Sequence, residues 1–123
     1  MEKEKKDLDL QLLDVIINAV KTKKGKDIVS IDLKETENSV CDYFVICHGD
    51  STTQVDAIAD EVKIKTKEIL NIPVDHIEGQ QNKQWILLDY ISIVLHIFVE
   101  EKRNFYKLED LWADGLISKH EDT

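Results

Sequence analysis

The chain has 123 residues, 42% of them hydrophobic and 33% charged, and its 25 acids against 16 bases give a formal net charge of -9. That length suits a single hydrophobic core, and the acidic balance argues against direct, sequence-specific nucleic-acid binding, which relies on clustered Lys and Arg. A basic protein partner fits better.

No Pro-, Gly- or Ser-rich linker divides the chain, and no apolar stretch reaches the roughly 20 residues of a membrane span. Cys41 and Cys47 are the only cysteines and do not form a C-x-x-C pair. With no secretory leader, and with acids at Glu2, Glu4, Asp7 and Asp9 where a transit peptide avoids them, the expectation is a reduced cytoplasmic protein without a membrane partner.

Residues 1–6 are charged and expected to fray. Asp7 then serves as a cap for a helix whose apolar positions Leu8, Leu12, Val15, Ile16 and Ala19 recur at helical spacing, widened by Leu13, Ile17 and Val20. Lysines 21, 23 and 24 suit the negative end of that helix, and Gly25 is its expected stop. Residues 27–33 alternate, with Val29, Ile31 and Leu33 against Ser30 and Asp32, which predicts a strand buried on one face. Residues 34–39 are a polar loop, and 43–47 a continuous apolar run that reads as an interior strand.

After His48, Gly49 and Asp50, the pair Ser51 and Gln54 predicts a capping box for a second helix with Val55, Ile58, Ala59, Val62 and Ile69 on one side. Asn71 and Pro73 end it. Residues 74–77 form a short edge strand, and a strand–helix–strand crossing of this kind gives parallel pairing.

Residues 84–99 are the most apolar stretch, and their β-branched and aromatic content predicts a hairpin. With the turn at Tyr90 and Ile91, Asp89 faces Ser92 and the faces separate. One carries Ile86, Leu88, Ile93, Leu95, Ile97 and Val99 and belongs to the core. The other carries Trp85, Leu87, Asp89, Ser92, Val94, His96 and Phe98. Aromatic surface mixed with an acid and an imidazole makes Trp85, Leu87, Asp89 and His96 the candidate partner-binding residues, with cover by a helix as the alternative. Residues 100–103 read as a solvated charged face. Phe105, Leu108, Leu111 and Trp112 form a short aromatic helix folded back on the sheet, and residues 118–123 a disordered tail.

Catalytic motifs are sparse. Gly49, Asp50 and Ser51 at a helix start have the outline of an anion site, but the glycines of a dinucleotide fingerprint and the Gly-Lys of a phosphate loop are missing, so a capped turn is favoured. A nucleotidyltransferase-like enzyme would need a second acid near Asp89, and Ile91 stands where it is expected, which disfavours metal-assisted catalysis. His48, His76, His96 and His120 lack metal-ligand spacing and read as structural, and no base is assigned to either cysteine. No cofactor or metal is expected.

Three segments together resemble the ribosomal silencing factor, or Iojap-related, family. They are Asp42, Tyr43, Phe44, Val45, Ile46 and Cys47 with Gly49, Ser51, Gln54 and Val55; Glu78 and Gly79 followed by Trp85 to Tyr90 and by His96, Ile97 and Phe98; and Arg103 with Phe105, Tyr106, Leu108, Glu109, Leu111 and Trp112. The resemblance implies a single α/β domain over residues 1–117 with a mixed sheet and flanking helices, nucleotidyltransferase-like in shape. It further implies a non-catalytic factor that binds the large ribosomal subunit through ribosomal protein L-fourteen and blocks subunit joining when nutrients are short. Members are often dimeric when free. Asp42, Tyr43, Glu78, Gly79 and Tyr90, which lie in the matching segments, join the candidate partner-binding residues. The chain departs from the family pattern at Ile91 and Ser92, where Gly and Asp are usual, and at His48 and Asp50. A ribosome biogenesis module without effect on translation is the rival reading within the same class of partner.

Overall fold

In the computed structural model, which describes residues 2–36, 41–112 and 115–120, the chain runs α1 (Glu2–Thr22), β1 (Lys26–Asp32), β2 (Tyr43–Gly49), α2 (Thr52–Leu70), β3 (His76–Glu78), β4 (Trp85–Asp89), β5 (Ile93–Val99), α3 (Glu100–Tyr106), α4 (Leu108–Leu111) and β6 (Leu116–His120). The strands form one mixed sheet in the order β3-β4-β5-β2-β1-β6. Among the described residues its only parallel pair is the central one, β2 with β5, joined through α2 and the β3–β4 segment; the other four pairs are antiparallel. The α/β class and mixed sheet are as expected from the sequence.

The two long helices lie on one face of the sheet. Leu12, Leu13, Ile16, Ile17, Ala19 and Val20 of α1 and Val55, Ile58, Ala59 and Val62 of α2 pack with Val45, Cys47, Ile86, Leu88, Ile93, Leu95 and Ile97. The helical periodicity identifies this face well, although Leu8 and Ile69 turn out exposed. The first helix also starts earlier than expected. It is helical from Glu2, so Asp7 is not its cap, and residues 3–6 are exposed helix. At its other end Lys24, not Gly25, takes the left-handed conformation, with φ of 60°. The Lys24 N–H bonds the Lys21 carbonyl and the Gly25 N–H the Val20 carbonyl, the bond pair that closes a helix C-terminus. Gly25 is still required, because a Cβ there would lie 2.3 Å from Val20 Cγ1.

The second helix begins and ends where the sequence places it. Ser51 Oγ accepts from the Gln54 N–H at 3.1 Å, and Gln54 Oε1 accepts from the Asp50 N–H at 2.7 Å. The Gln54 amide group also donates to the Lys23 and Lys24 carbonyls, tying the start of α2 to the end of α1. These bonds, with the Asp50–Lys26 ion pair at 2.9 Å, occupy the turn that resembled an anion site. Asn71 in the left-handed conformation ends the helix.

Four other expectations need correction. Strand β1 is buried on both faces, because Ile28 and Ser30 lie under the helices while Val29 and Ile31 pack on the far side. The hairpin turns at Ile91 and Ser92, so Asp89 pairs with Val94 rather than facing Ser92. This is a shift of two residues, and since side chains alternate with period two, both faces survive it. Residues 100–103 are not uniformly solvated, for Arg103 is buried. The expected tail is strand through His120, pairing antiparallel with β1 from Ile28–His120 to Asp32–Leu116; without it β1 would leave a row of unpaired backbone groups at the sheet edge. Residues 37–39 of the expected loop and residues 121–123 of the expected tail lie outside the described residues.

Candidate functional site

The sheet face away from α1 and α2 is built largely from aromatic and branched side chains: Val29, Ile31, Phe44, Ile46, Val94 and Phe98 form its buried part. The C-terminal segment covers only some of it. Trp112 meets Phe44 edge-on at 5.3 Å, and Tyr106 lies against Trp85 at 4.9 Å between ring centres. Toward β4 the face opens, and there Trp85, Leu87 and Asp89 are each half-buried.

Trp85 is held from three sides. Its ring stacks on Phe98 at 4.7 Å, Tyr106 packs beside it, and its Nε1–H donates to His96 Nδ1 at 3.2 Å. The hydrogen bond fixes the tautomer: Nδ1 must be the acceptor, so the neutral ring carries its proton on Nε2. Burial pushes the His96 pKa down to about 4, which keeps the ring neutral. His96 Nε2 has no hydrogen-bond partner among the described residues, a cost accepted at a position where the other nitrogen orients a tryptophan.

Register places Glu78 opposite Leu87 and His76 opposite Asp89, so one acid flanks the middle of β4 and another, Asp89, ends it. The Asp89 carboxylate accepts from the Ile91 N–H at 2.7 Å, which orients it at the hairpin tip. Gly79, with φ of +87°, lets the turn before β4 pass close to its backbone; a Cβ there would fall 1.9 Å from the Trp85 carbonyl oxygen. Trp85, Leu87, Asp89, Glu78 and the supporting His96 and Gly79 are therefore one constellation.

The remaining candidates are elsewhere. Tyr90 is buried on the helix side, its hydroxyl 2.8 Å from Thr66 Oγ1, and Tyr43 is buried there too, its hydroxyl accepting from Lys34 Nζ at 2.7 Å. Asp42 is half-buried at the start of β2, its N–H bonded to the Ser92 carbonyl, beside a cleft of about 400 Å³ lined by Lys5, Lys6, Asp9 and Lys34. Among the described residues no three His, Cys, Asp or Glu side chains converge on a possible metal site, at Asp89 or elsewhere. Both cysteines are buried and free, and burial raises their thiol pKa values, to about 11 for Cys41 and about 12 for Cys47. Among the described residues no helix is long and apolar enough to cross a membrane.

Sequence reasoning missed the cluster that holds the C-terminal segment in place. The Arg103 guanidinium donates to Glu109 through Nη2 at 2.7 Å and Nε at 3.2 Å, and through Nη1 to His48 Nδ1 at 3.0 Å and the Lys26 carbonyl at 3.3 Å. Burial first and the Arg103 charge second lower the His48 pKa, so its Nδ1 lone pair stays available to the arginine. The local signal was slight: a basic residue six positions before an acid, inside a charge-rich run.

A family model described as "Ribosomal silencing factor during starvation" matches residues 5–123. The chain belongs to the ribosomal silencing factor family. It is 40% identical over 104 residues to the ribosomal silencing factor of Bacillus subtilis, covering 85% of this chain and 86% of that one. Its counterpart in Halalkalibacterium halodurans is 38% identical over 105 residues, covering 85% and 88%. Among solved structures, a Chromobacterium violaceum protein superposes with a TM-score of 0.80 at 31% identity over 85% of both chains.

Proposed function

We propose that this silencing factor binds the large ribosomal subunit through ribosomal protein L-fourteen, using the β4 edge of its aromatic face. By occupying that surface it blocks small-subunit joining and lowers translation when nutrients are short. The reading assigns the chain no bond-making step, a cytoplasmic site of action and a homodimer in the free state. Family membership supports the class of partner. The observation that carries the site is Trp85: a half-buried indole fixed by Phe98, Tyr106 and His96, on a face where Glu78 stands opposite Leu87 and Asp89 ends the strand. A rigid aromatic that loses little freedom on binding is the usual anchor of an interface, and an acidic rim suits a basic ribosomal protein.

Co-sedimentation with separated large and small subunits tests this. The wild type should pellet with large subunits only, and Trp85→Ala should weaken that binding at least tenfold, about 1.4 kcal/mol. Leu95→Ala is the control. Leu95 is fully buried under the helices, so its truncation should cost about 2–5 kcal/mol of stability and spare affinity in the folded fraction. If the Trp85 variant loses as much stability as the Leu95 variant and binds normally once folded, Trp85 is a core residue and the site is elsewhere.

A further inference from the structure

We infer that the partner surface continues from β4 onto α3, with Phe105 as an outer anchor that receives an arginine of the basic partner. The inference rests on the reading above and adds a residue and a chemistry to it.

The observations form a chain of ring contacts. Phe98, fully buried, stacks on Trp85; Trp85 packs on Tyr106 at 4.9 Å; and Tyr106 meets Phe105 edge-on at 5.1 Å. Four aromatic side chains thus lead without a break from the sheet interior to solvent. The outermost one is 76% exposed, and Tyr106 is 45% exposed. Phe105 contributes little to the core at that exposure, yet its backbone is well anchored, because the neighbouring Arg103 binds Glu109, His48 and the Lys26 carbonyl and the turn closes on Lys107 with its N–H on the Arg103 carbonyl. An exposed aromatic on a pinned element is placed to be covered by something else.

The chemistry of that something follows from the surroundings. Glu101 is exposed and lies four positions before Phe105, hence on the same side of the helix. Arg103 turns inward and Lys102, three positions before Phe105, is half-buried, so the fully exposed charged residue on this side of α3 is the acid Glu101. A ring face next to a carboxylate favours a planar cation, which stacks on the ring while it pairs with the acid; guanidinium does both, and ammonium does the second better than the first. The patch is continuous with Trp85, so one partner surface can cover both.

The test compares Phe105→Ala and Phe105→Leu with wild type and Trp85→Ala in large-subunit co-sedimentation, with melting temperature and light scattering on each free protein. Phe105→Ala should weaken large-subunit binding about fivefold or more with a melting temperature close to wild type. Phe105→Leu should lose nearly as much, since leucine keeps apolar area and loses the ring face. Near-wild-type binding by Phe105→Ala, with Trp85→Ala impaired, overturns the extension onto α3 while leaving the β4 site intact. Full recovery by Phe105→Leu overturns the arginine assignment. A change in oligomeric state with unchanged subunit binding would make Phe105 a contact between copies and overturn the inference as well. If wild type itself fails to bind large subunits, it is the underlying reading that falls.

Discussion

Ile91 occupies a conformation that its side chain opposes. Its φ is 75°, and the Ser92 N–H reaches back to the Tyr90 carbonyl at 2.9 Å, closing a three-residue turn at the hairpin tip. A β-branched residue there carries strain of about 1–3 kcal/mol, and glycine would relieve it while adding about 0.5–1 kcal/mol of chain entropy to be lost on folding. Ile91→Gly should therefore stabilise the protein by roughly 1 kcal/mol, read as a higher urea midpoint at unchanged slope. A lower midpoint would mean that the 68%-exposed isoleucine is not strained there. The conflict is visible in the sequence, where Ile91 stands in a turn at which the family resemblance implies glycine. What the sequence does not give is the side-chain bond from Asp89 that holds the turn closed.

The C-terminal segment depends on one buried ion pair more than on its helices, which are short and joined through Lys107 at φ of 48°. Removing one member of such a pair leaves the other partners unsatisfied and commonly costs 3–5 kcal/mol, more than an exposed pair ever yields. Arg103→Leu should cost about 3 kcal/mol by that rule, lower the melting temperature, and shift Trp85 emission as Tyr106 loosens beside it. Glu109 is 27% exposed at its side chain, so Glu109→Gln, which keeps an acceptor, should cost less. Equal and small losses in both variants would place the strength of this segment in Trp112 and Leu108 instead. Local reading failed here for a physical reason. Arg103 is buried by His48 and the Lys26 carbonyl, 55 and 77 positions away, and no window of sequence contains them. Strand β6 escaped for a related one: four of its five residues are exposed, so it lacks the alternation that marks a half-buried strand. The capped second helix was legible because its signals, Ser51, Gln54 and Asn71, are local.

At the scale of the molecule, the two sheet faces were legible and what covers them was not. Alternation sorted the hairpin side chains correctly even with the turn placed one residue early, but the partial cover over Trp85 comes from long-range packing. The same architecture sets an acid limit. His96 and His48 are both held neutral by burial, with folded pKa values below the unfolded 6.5, so between pH 6.5 and about 4 the unfolded chain binds more protons. Stability is thus fully present above pH 6.5 and falls as the pH drops through this window, by about 3 kcal/mol from His96 alone. The urea midpoint should fall accordingly, and His96→Gln, which still offers Trp85 an acceptor, should flatten most of that fall; an unchanged slope would assign it to carboxylates. The sheet order also bears on how the molecule comes together. Its central parallel pair joins Tyr43 to Ile93, and its edge pair joins Ile28 to His120, so these two pairs form only after long stretches of chain have been brought into loops. Folding should accordingly run on the slow scale of non-local topologies, milliseconds to seconds, with the β4–β5 hairpin formed locally and docked onto β2 only afterwards.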